Sequence, residues 1–298
     1  MPVTAEGPIL DGLETSERNW QSWLQVSLLA ALLAVLYHHT LAALAVQWWD
    51  DPNYSHGFIV PLFSGWVVWR ERKRILAEPV NPSWFGLLVI LAGLGILALG
   101  VLGSELFLSR TSLLIVVAGM IIQFQGWRRF RAMLFPWAVL FLMVPLPVIV
   151  FSQIALPLQF LASRLASGLL SLVGVPVLRE GNVINLPSLS LDVVEACSGL
   201  RSLVSLVTLA VFYGYLFEPR AWRGFLLVLS SIPIAVAANA FRIMGSGILG
   251  EYWSPDKAEG FFHLFSGWLV FVLSLGLLVL FHKILTWSGR YWPSRPAR

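Results

Sequence analysis

Cys197 is the only cysteine among the 298 residues, and it lies in the sequence EACSGLR (195–201) just before a hydrophobic segment. A single thiol forms neither an internal disulfide nor a cysteine metal cluster. It is therefore either a small buried core residue or a nucleophile. Two features favour the reactive thiolate: the positive end of the dipole of the helix that follows, and the nearby Arg201. The free N–H groups at the start of that helix would also stabilise an oxyanion.

Arg242 and His263 are polar residues that interrupt hydrophobic segments in the same half of the chain. The His263 imidazole titrates near neutral pH and would act as the general base for Cys197, or it is a structural histidine at the membrane interface. Arg242 either extends to that interface or holds a substrate carboxylate, a carbonyl or an oxyanion with its guanidinium. Asn239 lies one helical turn before Arg242 and would orient Arg242 or His263.

The composition places these residues in a membrane protein. Hydrophobic residues make up 57% of the chain and charged residues 12%, whereas a soluble domain carries roughly 25% charged residues. Several hydrophobic runs approach the ~20 residues that cross a bilayer, which predicts an all-α polytopic membrane protein. The basic residues lie in short clusters between these runs, so the net charge of +4 does not indicate nucleic-acid binding. No nucleotide- or phosphate-binding motif is present, and we expect no cofactor.

The hydrophobic runs predict one transmembrane domain at 24–286, with cytoplasmic tails at 1–23 and 287–298. The segment 152–199 differs from the rest and is predicted to lie outside the cytoplasm. Its first part, 153–173, predicts an amphipathic surface helix, and the alternating residues that follow predict a small hairpin just before Cys197. About eight transmembrane helices are predicted, at 24–46, 56–69, 84–103, 106–125, 132–151, 200–217, 222–241 and 264–286.

The distribution of Lys and Arg predicts the orientation of these helices. In this topology 14 of the 20 basic residues lie on the side of the two termini, which the positive-inside rule places in the cytoplasm. The 47–56 loop, the 152–199 segment and the 242–263 loop then face the other side. Cys197 and the two polar residues of the later helices are thereby predicted to share the outer face.

Tyr54 and His56 belong to a further polar segment on that face, DDPNYSHG (50–57). The sequence Asp-Pro-Asn at 51–53 indicates a turn. His56, His263 and an aspartate would be the ligands of a metal-dependent intramembrane hydrolase, which is one alternative function. No ligand spacing such as His-Glu-x-x-His is present, and we expect no metal.

Four motifs in this order resemble the exosortase/archaeosortase family: DPNYSHGFIVP (51–61), EACSGLR (195–201), NAFR (239–242), and His263 with Gly267 beyond it. The resemblance spans roughly 45–286. It implies a membrane-embedded cysteine protease or transpeptidase, with Cys197 as the nucleophile, Arg242 as the oxyanion- or substrate-positioning group and His263 as the acid/base. Supporting or substrate-binding roles are expected for Asn239, Arg201, His56, Tyr54 and Glu195.

The resemblance also implies substrates and a location. The expected substrates are exported proteins with a C-terminal sorting signal: a short Pro-Glu-Pro-like motif, a transmembrane helix and a basic tail. The expected site is the periplasmic face of a bacterial inner membrane, in a process linked to exopolysaccharide and biofilm production. Besides its protein substrate and the lipid bilayer, the enzyme would need an amine acceptor for transpeptidation. Nucleic acid is not expected as a partner.

A transporter or scaffold subunit of a polysaccharide export system is the alternative from a different class. It would account for the many helices and the polar outer face without any chemistry. The short second helix and the prolines Pro145 and Pro147 in the fifth favour it. Such transporters are built from internal repeats, and no convincing repeat is present in this sequence.

Overall fold

The computed structural model describes residues 7–193, 200–253 and 261–288, and this part of the chain is almost entirely helical. The protein is an all-α polytopic membrane protein, as the composition predicts. Three short strands, described below, interrupt the helices. The helices are α1 (Gly7–Asp50), α2 (Ile59–Arg70), α3 (Arg72–Ala77), α4 (Phe85–Leu102), α5 (Leu106–Gln125), α6 (Trp127–Ala132), α7 (Leu134–Val139), α8 (Val148–Leu172), α9 (Leu200–Phe217), α10 (Ala221–Tyr252) and α11 (Phe261–Ser288).

Six helical segments in the described chain are long and apolar enough to cross a membrane. Two further apolar helices, Leu134–Met143 and Arg201–Phe217, are shorter. Five of the six long segments coincide with predicted spans, and the sixth is α8. The predicted total of eight spans therefore stays a prediction. The six segments are Ser27–Asp50, Phe85–Leu102, Leu106–Gln125, Val148–Leu172, Ala221–Tyr252 and Gly267–Trp287.

The structure differs from the predicted helix at 132–151, which is broken. α7 continues into a 3-10 turn, Leu140–Met143, and α8 begins only at Val148. The cause is the pair Pro145 and Pro147, because proline lacks a backbone N–H and restricts the residue before it. Pro147 serves as the N-cap of α8.

α8 covers 25 residues in the region where the sequence predicts a surface helix. It is apolar enough to cross a membrane, so its location at the surface stays a prediction. One face of α8, which includes Ala162, Ala166 and Leu170, is fully buried. This face shares a hydrophobic core with Ile243 of α10, and α8 is thereby fixed along the helix that carries Arg242.

A small antiparallel sheet connects α8 to the region of Cys197. The sequence predicts a hairpin there, and the structure has three strands: β1 (Leu178–Glu180), β2 (Val183–Asn185) and β3 (Ser190–Asp192), in the order β1-β2-β3. Gly181 makes the tight turn between the first two strands with a φ of 66°, a conformation that glycine adopts without strain. Its carbonyl accepts a hydrogen bond of 3.0 Å from the Ser163 hydroxyl of α8. The sheet is thus attached to α8.

The last three helices, α9, α10 and α11, pack around a common core. Its buried side chains are Leu206 and Ala210 of α9, Leu227 and Ala235 of α10, and Leu278 of α11. Full burial of each of the three leucines stabilises the packing by about 1.5–3 kcal/mol. This core sets the relative positions of the helices that carry the candidate site residues.

A buried polar network joins the same three helices near the end of α11. The Glu218 carboxylate, which follows α9, lies 3.2 Å from Nε2 of His282 in α11 and 3.9 Å from Nη1 of Arg223 in α10. The Tyr213 hydroxyl of α9 lies 3.0 Å from Nδ1 of His282. The positive-inside rule predicts that all four residues lie on the cytoplasmic side. Their mutual contacts are consistent with that predicted topology.

Candidate functional site

Cys197 and Glu195 lie outside the described residues, so their predicted roles stay predictions. The described chain ends one residue beyond β3 and resumes at Leu200, the first residue of α9. Arg201 is the second residue of α9, and its side chain is exposed. Cys197 thus precedes the described part of α9 by three residues in sequence.

Arg242 lies inside α10 rather than at the end of a helix. The sequence predicts that this helix ends at 241, but it continues to Tyr252, which places Arg242 ~15 Å before the helix end. The extension is stabilised because Ile243, Gly247 and Gly250 are buried on one side of it. Arg242 itself is half-buried.

The guanidinium of Arg242 lies against α11 at Gly267. Its Nη1 atom is 3.6 Å from the position that a Cβ atom on Gly267 would occupy. His263 precedes Gly267 by four residues in the same helix, so the two positions share one helix face with a rise of about 6 Å between them. The side chain of His263 lies outside the described part of the structure. The helix backbone places residue 263 one turn before Gly267, the residue that the Arg242 guanidinium contacts.

Asn239 is almost fully buried, with 2% of its surface exposed, and lies one turn before Arg242 on α10. An amide in a helix interior is normally held by a hydrogen bond, because an unpaired buried polar group is costly. The position of Asn239 fits the supporting role predicted for it.

Tyr54 and His56 are held by the backbone around the break between α7 and α8. The Tyr54 hydroxyl accepts a 3.3 Å hydrogen bond from the N–H of Leu146. His56 donates from Nε2 to the carbonyl of Leu142 over 3.1 Å. The turn predicted at 51–53 is present, with Oδ1 of Asp51 accepting from the N–H of Asn53. The loop before α2 thus satisfies backbone groups that the proline break leaves without helical partners.

The environment of His56 favours the neutral imidazole. Burial lowers the pKa of His56, and the hydrogen bond to the Leu142 carbonyl opposes this shift only in part. Because Nε2 donates its proton to that carbonyl, the same nitrogen has no lone pair free for a metal ion. In this tautomer the free lone pair is on Nδ1, which is buried and makes no hydrogen bond with the described residues. In the described part of the chain, no group of three His, Cys, Asp or Glu side chains is arranged to hold a metal ion.

Two further polar residues were not singled out by the sequence analysis. Arg110 of α5 is 3% exposed, and it interacts electrostatically with Glu105 and Tyr54. The sequence feature that could have identified Arg110 is a single arginine inside an apolar span. Glu251, in the last turn of α10, accepts hydrogen bonds from the hydroxyl and the N–H of Ser188, over 2.6 and 3.1 Å. This contact joins the loop between β2 and β3 to α10, and no sequence motif predicts it.

The arrangement can stabilise negative charge next to α11. A guanidinium offers several N–H donors in a fixed plane, and a half-buried guanidinium interacts with an oxyanion more strongly than it would in water. The contact with Gly267 fixes the guanidinium against α11. Such a preorganised donor suits a reaction in which charge develops on a carbonyl oxygen.

Comparison with known families gives a clear result. The family model for the transmembrane exosortases matches residues 48–280, which is more than three quarters of the chain and includes each of the candidate site residues. No curated protein and no solved structure matches the chain significantly.

Proposed function

Because the chain belongs to the transmembrane exosortase family, we propose that it is a membrane-embedded cysteine protease or transpeptidase. Its substrates are exported proteins that end in a sorting signal, made of a short Pro-Glu-Pro-like motif, a transmembrane helix and a basic tail. The enzyme cleaves at that motif on the periplasmic face of a bacterial inner membrane. The process serves exopolysaccharide and biofilm production.

The observation that supports this proposal is the contact between Arg242 and Gly267. A cysteine acyl transfer needs a nucleophile, a base and a group that stabilises the oxyanion. The guanidinium contacts α11 at Gly267, and residue 263 lies one turn before Gly267 in the same helix, which supports a pairing of the proposed oxyanion group with the proposed base.

The proposed reaction begins with proton transfer from the Cys197 thiol to the His263 imidazole. The thiolate sulfur attacks the peptide carbonyl carbon, and the carbonyl π electrons move to the oxygen, which Arg242 stabilises. When the tetrahedral intermediate collapses, the C–N bond breaks and the imidazolium returns its proton to the leaving amine. The products are a thioester on Cys197 and a free transmembrane helix with its basic tail.

An amine or a water molecule resolves the thioester. The incoming nucleophile loses a proton to His263 and attacks the same carbonyl carbon, and the C–S bond breaks with return of the proton to sulfur. An amine gives a new peptide or amide bond, and water gives a carboxylate. Both routes use the same three side chains, so the acceptor alone decides between transpeptidation and hydrolysis.

The test is cleavage of a co-expressed reporter protein that carries such a tripartite signal. Wild type is compared with Cys197→Ala and Cys197→Ser, and cleavage is followed as a mobility shift, with membrane insertion checked by fractionation. We expect both variants to insert normally and to leave the reporter intact. If Cys197→Ala still cleaves and a chelator inhibits, the metal-dependent hydrolase is favoured. If cleavage requires neither Cys197 nor a metal ion, another protein cleaves the reporter, and the transporter or scaffold interpretation is favoured.

A further inference from the structure

An apolar groove runs between α8 and α10, and Phe241, the residue before Arg242, lines it. It has a volume of about 630 Å3, and its walls are almost wholly apolar. A helix ~10 Å across occupies roughly 420 Å3 per turn, so the groove takes more than one turn of a helix. Its lining residues are Leu161, Arg164, Leu165, Gly168, Leu169, Leu172, Ala237, Ala240 and Phe241.

The floor of the groove is made by small residues. A Cβ atom on Gly168 would meet no atom within 4 Å, so the space above α8 is open. Ala237 and Ala240 form the facing side on α10. Small residues let two helix backbones approach closely, which is the main way in which helices associate inside a bilayer. The small residues of the groove therefore allow the backbone of a further helix to approach α8 and α10 closely.

Arg164 is the one charged residue in the lining. Its side chain is exposed, and among the described residues it makes no hydrogen bond or ion pair. An exposed guanidinium at the edge of an apolar groove pairs favourably with a carboxylate, because a charge-assisted hydrogen bond is stronger than a neutral one. An occupant that fits the groove is therefore apolar over most of its length and carries one acidic group.

The groove also leads to the candidate site. Phe241 lines the groove and is the residue immediately before Arg242, and Ala240 lies next to the buried Asn239. Successive residues of a helix project about 100° apart, so the groove and the Arg242 guanidinium occupy neighbouring faces of α10.

We propose that this groove binds the transmembrane helix of the protein substrate, with an acidic residue near the end of that helix paired to Arg164. This inference rests on the proposed function and names the surface that recognises the substrate. It makes α8 and α10 the binding walls and Arg164 a specificity-determining residue.

The first experiment measures contact independently of cleavage. A photo-crosslinking amino acid replaces Leu165 or Phe241 in the groove, or Leu88 on the lipid-exposed side of α4 as a control. The full-length Cys197→Ala enzyme is co-expressed with the reporter that carries the tripartite signal. We expect a crosslink to the reporter from the two groove positions and none from the control position.

The second experiment fills the groove. Gly168→Leu places a side chain in open space, so it obstructs the groove without disturbing the packing of α8. Gly95→Leu is the matched control, because Gly95 of α4 is also exposed and its Cβ would also meet nothing within 4 Å. We expect Gly168→Leu to reduce both crosslinking and cleavage at least tenfold and Gly95→Leu to leave both unchanged.

The third experiment exchanges charges. Arg164→Glu is expected to reduce crosslinking, and a reporter in which the acidic residue beside the helix is replaced by lysine should restore it. Recovery by the paired exchange distinguishes recognition from damage to the fold.

The outcomes separate this inference from the proposed function. If wild type cleaves but Gly168→Leu cleaves equally well, or the groove positions crosslink only lipid or a second copy of the enzyme, the groove inference is overturned and the proposed function stands. If the groove crosslinks the reporter but wild type does not cleave it, the helix site stands and the proposed function fails. If neither contact nor cleavage occurs, both are wrong.

Discussion

The guanidinium of Arg242 lies against the backbone of Gly267, with Nη1 3.6 Å from the site of a Cβ atom. This distance is an ordinary van der Waals contact, so a methyl group fits at 267, whereas a longer side chain directed at the guanidinium would displace it. The small residue at 267 lets the guanidinium of α10 lie close to the backbone of α11. The relationship links the helix of the proposed oxyanion group to the helix of the proposed base.

Gly267→Leu is expected to displace the guanidinium and to abolish most of the cleavage. Gly267→Ala, whose methyl group fits, should retain it. The matched control is Gly276→Leu on the same helix, where a Cβ would meet nothing within 4 Å. Reporter cleavage and the yield of monodisperse protein in detergent are the measurements. Equal activity of the two leucine variants would contradict a role for this contact.

Arg242→Lys and Arg242→Gln are both expected to lower the cleavage rate by about 100- to 1,000-fold, the usual cost of losing an oxyanion donor. Lysine keeps the charge but not the planar set of donors, so it should rescue little. The rate constant of reporter processing in membranes measures the effect. If lysine restores wild-type activity, the residue supplies charge alone and the oxyanion assignment is wrong.

Glu218→Gln should destabilise the fold by about 3–5 kcal/mol, because it leaves Arg223 buried without its counter-charge. The exposed ion pair between Arg74 and Glu71, at 3.2 Å, provides the control. Arg74→Gln is expected to cost at most ~1 kcal/mol. Thermal unfolding of the purified protein in detergent compares the two. Similar melting temperatures for both variants would show that the buried network does not hold the helices together.

Stability should decrease in mild acid through His56. Burial lowers its pKa in the folded protein, so the unfolded chain binds the proton more readily. The contribution of His56 is complete above the unfolded pKa of about 6.5 and is lost as the pH falls through the lower folded value. His56→Gln keeps a donor for the Leu142 carbonyl but does not titrate. Melting temperatures measured from pH 8 to pH 5 should fall more steeply for wild type than for this variant, and parallel curves would refute the assignment.

Several features of the fold follow from local sequence alone. The long apolar runs predict α4 and α5 almost to the residue, because the length of such a run is set by the bilayer and every backbone group in it must be paired internally. The alternating apolar and polar residues before Cys197 predict β-structure, because successive side chains of a β-strand point to opposite faces. The turn at 51–53 is present because Asp51 bonds to its own backbone.

Other features depend on contacts that no local pattern encodes. α10 continues past 241 because Ile243 and Gly247 pack against α8 and the sheet region. The hydropathy of the sequence around 241 does not predict these contacts. The helix predicted at 132–151 breaks at two prolines whose freed backbone groups are satisfied by Tyr54 and His56, which are ~90 residues distant in sequence. The sequence shows where the prolines are, but it does not show which distant side chains bond to the backbone groups they free.

The sequence by itself determined the class of the protein, the family motifs and the residue types capable of chemistry, because composition, periodicity and motif order are properties of the chain. Tertiary structure alone decided that the Arg242 guanidinium lies on Gly267, that Glu218 joins three helices, and that α8 and α10 enclose a groove. These features depend on how the helices rotate and pack against one another. The small residues that permit such close approach are uncharged and follow no periodic pattern, so the sequence does not distinguish them from other small residues.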